Sequence, residues 1–503
     1  MRRWIPETSS GQALKQVQDD GRRKTLRGRA WLVFGALALL GTPATARPAP
    51  PQVEAATAAL TLDEVLRASA RTAPQIVEAL ARVRQAEGRA LTAEGAFDTV
   101  FDVDGRSRAL GFYDGTIVEG RATRPLTNNG GYVYGGYRVS RGDFPIYEDE
   151  YFTNRLGEFK VGALYSLLRD RLVDARRTQR TLAAGDIDVA RFETQAAAIG
   201  VQRRAIDAYQ NWVAAGLRLR AYRELLELAE SRRGAIGRQV QLGARPEILI
   251  VENDQNLVRR RALVVRAEQD FAAAANALSL FFRDEGGQPI LVGAERLPPD
   301  AAALEGVRVT AAQADLQARR PDLQTLLARV DQSLTRLALA ENELRPRLDL
   351  RGEVGKDLGS GSSTRRPLEA IVGFRFAMPL QNRAARGRVA EARAEIDALE
   401  ARSRFLQDQI AVEVEGINIA VGGAERLVAA AEQERALADR LAAAERRRFD
   451  LGSSDFFLVN QREETATDAQ VRLIDAQARI AAARAELATA TADRAALGLD
   501  ATE

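Results

Sequence analysis

The sequence predicts an α+β membrane protein in which a few barrel strands alternate with very long helices. Three observations carry that prediction. Proline is missing from long stretches built of strong helix formers, short segments between them alternate apolar and charged residues, and the chain repeats itself behind an export leader.

The leader comes first. Arg22, Arg23, Lys24, Arg27 and Arg29 precede the apolar run Trp31 to Leu40 and the small residues Ala44-Thr45-Ala46, so residues 1–46 read as an export signal. Ten apolar residues fall short of the roughly 20 that span a bilayer. No cysteine follows them to carry a lipid anchor.

The leader also explains the charge. It holds eight of the 72 basic and three of the 69 acidic residues, leaving 64 against 66, a net of −2. The basic pI of about 9.2 therefore gives no reason to expect a nucleic-acid partner. Cysteine and histidine are both absent, which excludes disulfides, thiol nucleophiles, imidazole bases and zinc sites on those ligands. After residue 47 no uninterrupted apolar run is long enough for a spanning helix, but an exported chain can still enter a membrane as a β-barrel.

Long helices are predicted where proline is lacking, from Ile146 to Arg245, Glu247 to Gln288 and Leu380 to Glu503, because an interior proline costs a helix about 3 kcal/mol. In Val389 to Phe405, Val389, Ile396 and Leu399 recur at spacings of seven and three, with charges on the other faces.

Ala73-Pro74-Gln75-Ile76 aligns without gaps with Arg320-Pro321-Asp322-Leu323, and the same offset of 247 carries Gly105 over Gly352. Further on, Leu167 to Arg171 lies over Pro379 to Arg383, and Leu242-Gly243 over Leu451-Gly452. The expected organisation is a signal over 1–46, a first repeat over 47–300 and a second over 301–503, each a helix, a strand pair and a long helical hairpin.

The strands are expected where Phe101, Val103 and Gly105 alternate with Asp102, Asp104 and Arg106, and where Leu348, Leu350, Gly352 and Val354 alternate with Asp349, Arg351 and Glu353. Their partners are expected at Phe159 to Tyr165 and Ala370 to Phe376. A soluble sheet with one wet face alternates in the same way, but the leader and flanking helices favour a barrel wall. Four strands per chain cannot close a membrane barrel, whose smallest single-chain form has eight, so strands must be pooled; three copies give twelve. The insert Gly111 to Arg155, rich in Gly and Tyr, reads as an elaborated external loop with room for a short extra hairpin.

This order of elements, with Met378-Pro379-Leu380, Asn382-Arg383, Gly387-Arg388-Val389 and the two Leu-Gly turns, resembles the TolC-like outer membrane efflux family over roughly residues 60–499. The resemblance implies a homotrimer: a twelve-stranded outer-membrane β-barrel continued by a periplasmic α-helical barrel. Residues 384–449 give roughly 100 Å of helix, a length that agrees. The return path pairs 455–497 with 62–94 and 247–282 with 321–343, while Arg283 to Arg320 matches the family's equatorial region.

It further implies a passive exit duct for a tripartite efflux pump or a type I secretion system, with outer-membrane lipid, a periplasmic adaptor and an inner-membrane transporter as partners and no cofactor. No phosphate-binding G-x-x-x-x-G-K-[ST] motif is present, so the energy is expected from the transporter. Adaptor docking is expected at the tips Leu242, Gly243, Ala244, Arg245, Leu451, Gly452, Ser453, Ser454 and Asp455, where glycine ends one helix and Ser453, Ser454 or Asp455 caps the next. Lumen-facing roles fall to Asp102, Asp104, Arg106, Asp349, Arg351 and Glu353.

Where some relatives carry acidic residues after the second tip, this chain has Leu458 and Gln461, leaving Asp450, Asp455, Glu463 and Glu464 as alternative sources of negative charge. Two other readings remain open: an exported coiled-coil scaffold with a small soluble sheet, and an enzyme, which would have only carboxylates such as Asp102 and Asp104 to work with.

Overall fold

The structure, a computed structural model, describes residues 58–309 and 316–500. The export signal expected over residues 1–46 lies outside them. Among the described residues no helix is long and apolar enough to cross a membrane.

Two helices dominate, α3 (Ala175–Gln241) and α7 (Arg383–Asp450), of 67 and 68 residues, each about 100 Å long at 1.5 Å per residue. Asp174 starts α3 by accepting the backbone N–H groups of Arg176 and Arg177 at 2.9 and 3.2 Å. Shorter helices lie beside them: α1 (Leu62–Thr72), α2 (Pro74–Glu94), α4 (Ile248–Leu278), α5 (Leu316–Arg319), α6 (Pro321–Asn342) and α8 (Phe456–Ala490). Pro74 and Pro321 occupy the first helical positions of α2 and α6, where a missing N–H costs nothing. One half of α3 packs on α2 and α6, and the other on α4 and α8, while α7 runs along α6 and α8.

The predicted period on α7 extends far beyond Val389 and Ile396. Ser403, Ile410, Ile417, Ala424, Ala431 and Ala438 continue it at intervals of seven, and all are buried. A strict seven-residue seam keeps one face against its neighbours as in a coiled coil, and its alanines allow close approach of α8 near Ala466 and Ala469.

The largest core forms where α1, α3, α4 and α8 meet the segment between α4 and α5. Trp212 and Tyr209 sit at its centre, with Trp212 stacked on Phe271 and the Tyr209 hydroxyl donating to the Leu60 carbonyl at 2.9 Å. The proline-rich segment contains two 3-10 turns, Ala294–Arg296 and Ala301–Leu304, and buries Val292, Leu304 and Val307 in that core.

The sheet corrects the strand count. Among the described residues it has six antiparallel strands in chain order: β1 (Val100–Ser107), β2 (Thr116–Pro125), β3 (Tyr132–Arg141), β4 (Glu158–Ser166), β5 (Arg347–Asp357) and β6 (Glu369–Ala377). The Gly111 to Arg155 insert is therefore more than an external loop. It supplies β2 and β3, each as long as a wall strand, and these separate β1 from its expected partner β4, which pairs instead with β3 and β5. The expected pairing of β5 with β6 is present.

Candidate functional site

The sheet has two unlike faces, because successive side chains of a strand point to opposite sides. The register aligns Asp102, Asp104 and Arg106 of β1 with Glu119 and Arg121 of β2 on one face. The same face continues through Tyr134 and Arg138 of β3, Glu158 and Lys160 of β4, and Arg351 and Glu353 of β5. It encloses a cleft of about 820 Å³, also lined by Asp149, Phe152 and Arg365 from the connections between strands. The other face presents Phe101, Val103, Val118, Val133, Phe159, Val161, Val354 and Phe374, all exposed, with Phe374 at 78 %.

The charged face is cross-linked by ion pairs. Glu158 is held by Arg138 at 2.6 Å and by Lys160 at 3.1 Å; Lys160 also reaches Glu353 at 3.3 Å, and Arg351 lies 3.0 Å from Glu353. Tyr134 donates its hydroxyl to Glu353 and carries the Arg121 guanidinium over its ring, 3.9 Å from the centroid. Charges of both signs fixed to a wall give a polar surface without strong preference for one ion sign. Four of the six expected residues, Asp102, Asp104, Arg106 and Arg351, stand there exposed, whereas the Glu353 side chain, 11 % exposed, is held by Tyr134, Lys160 and Arg351. Asp349 departs: it is only 2 % exposed, ion-paired with Arg347 at 2.6 Å and hydrogen-bonded by the Ser166 hydroxyl at 3.0 Å. Glu119, Arg121, Arg138, Glu158 and Lys160 escaped the sequence reading, three of them because β2 and β3 were not recognised as strands.

The two helical turns are built alike. At the first, the Gly243 N–H donates to the Val240 carbonyl and the Ala244 N–H to that of Gln239, both at 2.9 Å. At the second, Gly452 donates to Phe449 at 2.9 Å and Ser453 to Arg448 at 2.8 Å. Both are Schellman caps, which need a residue at positive φ, and Gly243 and Gly452 take +70° and +75°. Of the three candidate caps for α8, Asp455 does the work, accepting the Leu458 N–H at 2.7 Å, while Ser454 donates to Glu445. Leu242 and Leu451, just before the glycines, are each 83 % exposed.

Residues 313–493 match the family model described as outer membrane efflux protein. Solved structures share the fold of this chain over most of its length. The CmeC outer membrane channel of Campylobacter jejuni is 14 % identical, covers 88 % of this chain and 87 % of its own, and superposes with a TM-score of 0.59. The open-state MtrE outer membrane channel of Neisseria gonorrhoeae is 14 % identical, over 86 % and 88 %, with a TM-score of 0.61. VceC, an outer membrane protein of Vibrio cholerae, is 15 % identical, over 86 % and 95 %, with a TM-score of 0.58. No curated protein sequence matches.

These structures, all outer membrane proteins by their own descriptions, share with this chain the fold of long helices joined to an antiparallel sheet. Near the two turns, the protein buries a charged cluster that the sequence did not announce. Glu463 of α8 receives one guanidinium from each of three other helices: Arg232 of α3, Arg260 of α4 at 3.4 Å and Arg446 of α7 at 3.2 Å. Asn460, one turn before Glu463, accepts from Arg232 at 3.0 Å and Arg260 at 3.2 Å. Burial pushes the Arg260 guanidinium below its usual pKa, an effect the Glu463 and Glu464 charges oppose. Glu463 is consequently a structural anchor rather than the free negative charge considered for the entrance. Glu464 stays partly exposed beside Arg259 at 3.5 Å.

Proposed function

We propose that three copies of this chain form a passive duct that carries cargo from a periplasmic adaptor and an inner-membrane transporter to the exterior, in a tripartite efflux pump or a type I secretion system. The reading rests above all on the sheet: one face charged, the other apolar and exposed, with two edges, β1 and β6, that pair with no other strand among the described residues. An open sheet of this kind, one face suited to lipid and the other to water, becomes stable in a membrane only when its edges are paired in a closed barrel.

The helices support association too. On α7, Phe405, Val412 and Ile419 lie at intervals of seven on the side opposite the buried seam, and on α4 Val251, Val258 and Val265 do the same; all six are exposed in the single chain. Two such stripes suit packing of α4 and α7 against helices of neighbouring copies. We read the two halves as copies of one unit, 47–300 and 301–503, and the turns at Leu242 to Arg245 and Leu451 to Asp455 as the ends that meet the adaptor. Opening of those ends is the one mechanical step, biased by the partners' contacts.

The native mass of the detergent-extracted protein tests the assembly. A mass of three chains is expected, and a stable monomer free of detergent would refute the duct.

A further inference from the structure

The hairpin formed by β2 and β3 bears on the size of the pore. Both strands are ten residues long and pair with each other from Thr116↔Arg141 to Pro125↔Tyr132, while β2 also pairs along all of β1 and β3 along β4. Ten residues match the roughly 9–11 that a tilted strand needs to cross a membrane.

The side-chain pattern agrees with a place in the wall. Glu119, Arg121, Tyr134 and Arg138 share the charged face, whereas Val118, Gly120 and Ala122 of β2 and Val133, Gly135, Tyr137 and Val139 of β3 share the lipid-type face. On that second face, charge appears only at Arg124 and Arg141, near opposite ends of the hairpin.

Its turn is anchored at the helical end of the sheet. Asn129, almost fully buried, donates to the Ser166 carbonyl and accepts from the Ser166 N–H, both at 2.9 Å. Gly130 donates to the Asp170 carbonyl at 2.9 Å, and Arg176 of α3 donates to the Gly130 carbonyl at 2.8 Å. A Cβ on Gly131 would sit 1.8 Å from the Leu164 carbonyl oxygen, so the turn is fitted closely to β4. The connection at 126–131 is shorter than those at 108–115, 142–157 and 358–368 at the opposite end, the asymmetry of short periplasmic turns and longer external loops that membrane barrels show.

We infer that β2 and β3 are wall strands and that the assembled barrel has eighteen strands, six from each of three chains, closed where β1 of one copy meets β6 of the next. This rests on the trimeric duct reading. With strands about 4.8 Å apart and tilted by about 40°, eighteen strands enclose a barrel roughly 36 Å across, against roughly 24 Å for twelve. Barrels of 16–18 strands leave an aqueous channel, here narrowed at its outer end by Asp149, Phe152 and Arg365. The outer-membrane segment would then be a wide vestibule, leaving size selection to the helical part.

Electron cryo-microscopy of the full-length protein in lipid nanodiscs tests this by counting strands in cross-section. Eighteen strands in a three-chain particle is the expected result. A three-chain particle with twelve strands, the hairpin lying outside the wall, overturns the wide barrel and leaves the duct reading standing; a two-chain particle closing twelve strands, or a protein that never enters nanodiscs, overturns both. Cysteine pairs in cells give a second measurement, clean because the chain has no native cysteine. Asp102→Cys with Arg121→Cys, and separately Val133→Cys with Ala163→Cys, should each cross-link within one chain through a short thiol-reactive linker. Failure of both pairs in correctly inserted protein overturns the wall assignment.

Discussion

The Arg260 guanidinium lies 3.4 Å from the Glu463 carboxylate, and neither side chain reaches solvent. Arg232 and Arg446 share that carboxylate, so one residue of α8 ties together α3, α4 and α7 close to the two turns.

Removing the shared carboxylate leaves guanidiniums buried without a counter-charge. Glu463→Gln is expected to destabilise the helical part by about 3–5 kcal/mol, since breaking a buried pair strands the other ion. Glu464→Gln, whose partner Arg259 is exposed, should cost less than about 1 kcal/mol. Thermal unfolding in detergent compares the two, and equal losses would contradict the anchoring role.

Burial pushes the Tyr209 hydroxyl up to about 12 from its ordinary 10.0. A raised folded-state value means that the stabilisation is fully present below pH 10 and is lost as pH rises through about 12, because the unfolded chain releases the proton first. Tyr209→Phe should flatten this alkaline decline relative to the parent while costing about 1 kcal/mol near neutrality through the lost bond to Leu60. Denaturant midpoints measured from pH 8 upward check it.

On α7 the exposed stripe should hold copies together. Val412→Asp with Ile419→Asp puts two charges where apolar packing is expected and should reduce the three-chain species in native mass measurements while leaving helix content unchanged. An undiminished trimer would move the interface elsewhere.

The exposed tip leucines offer a separation of docking from folding. Leu242→Asp with Leu451→Asp touches no buried group, so the melting temperature should stay within about 2 °C of the parent. Adaptor co-purification and resistance of cells to exported compounds should both fall. Unchanged co-purification would place docking away from the tips.

Much of this was written in the sequence, for physical reasons. Proline-free runs marked α3, α4, α7 and α8 because an interior proline is so costly to a helix, and the strict alternation around Asp102 and Asp349 marked β1 and β5. The hairpin of β2 and β3 was hidden because Gly120, Gly135 and Gly136 interrupt the alternation, and Tyr132, Tyr134 and Tyr137 occur on both faces. Glu463 misled because a carboxylate on a helix is usually solvated, and its three arginines come from distant parts of the chain. Asp349 shows the same limit: its place on the charged face followed from alternation, but its burial depends on Ser166 and Arg347.

Single-channel recording of the mature, detergent-extracted protein in planar lipid bilayers tests the central claim most directly. The duct account predicts discrete conductance steps that grow with salt concentration. Repeated failure of folded, three-chain protein to produce any step would contradict it.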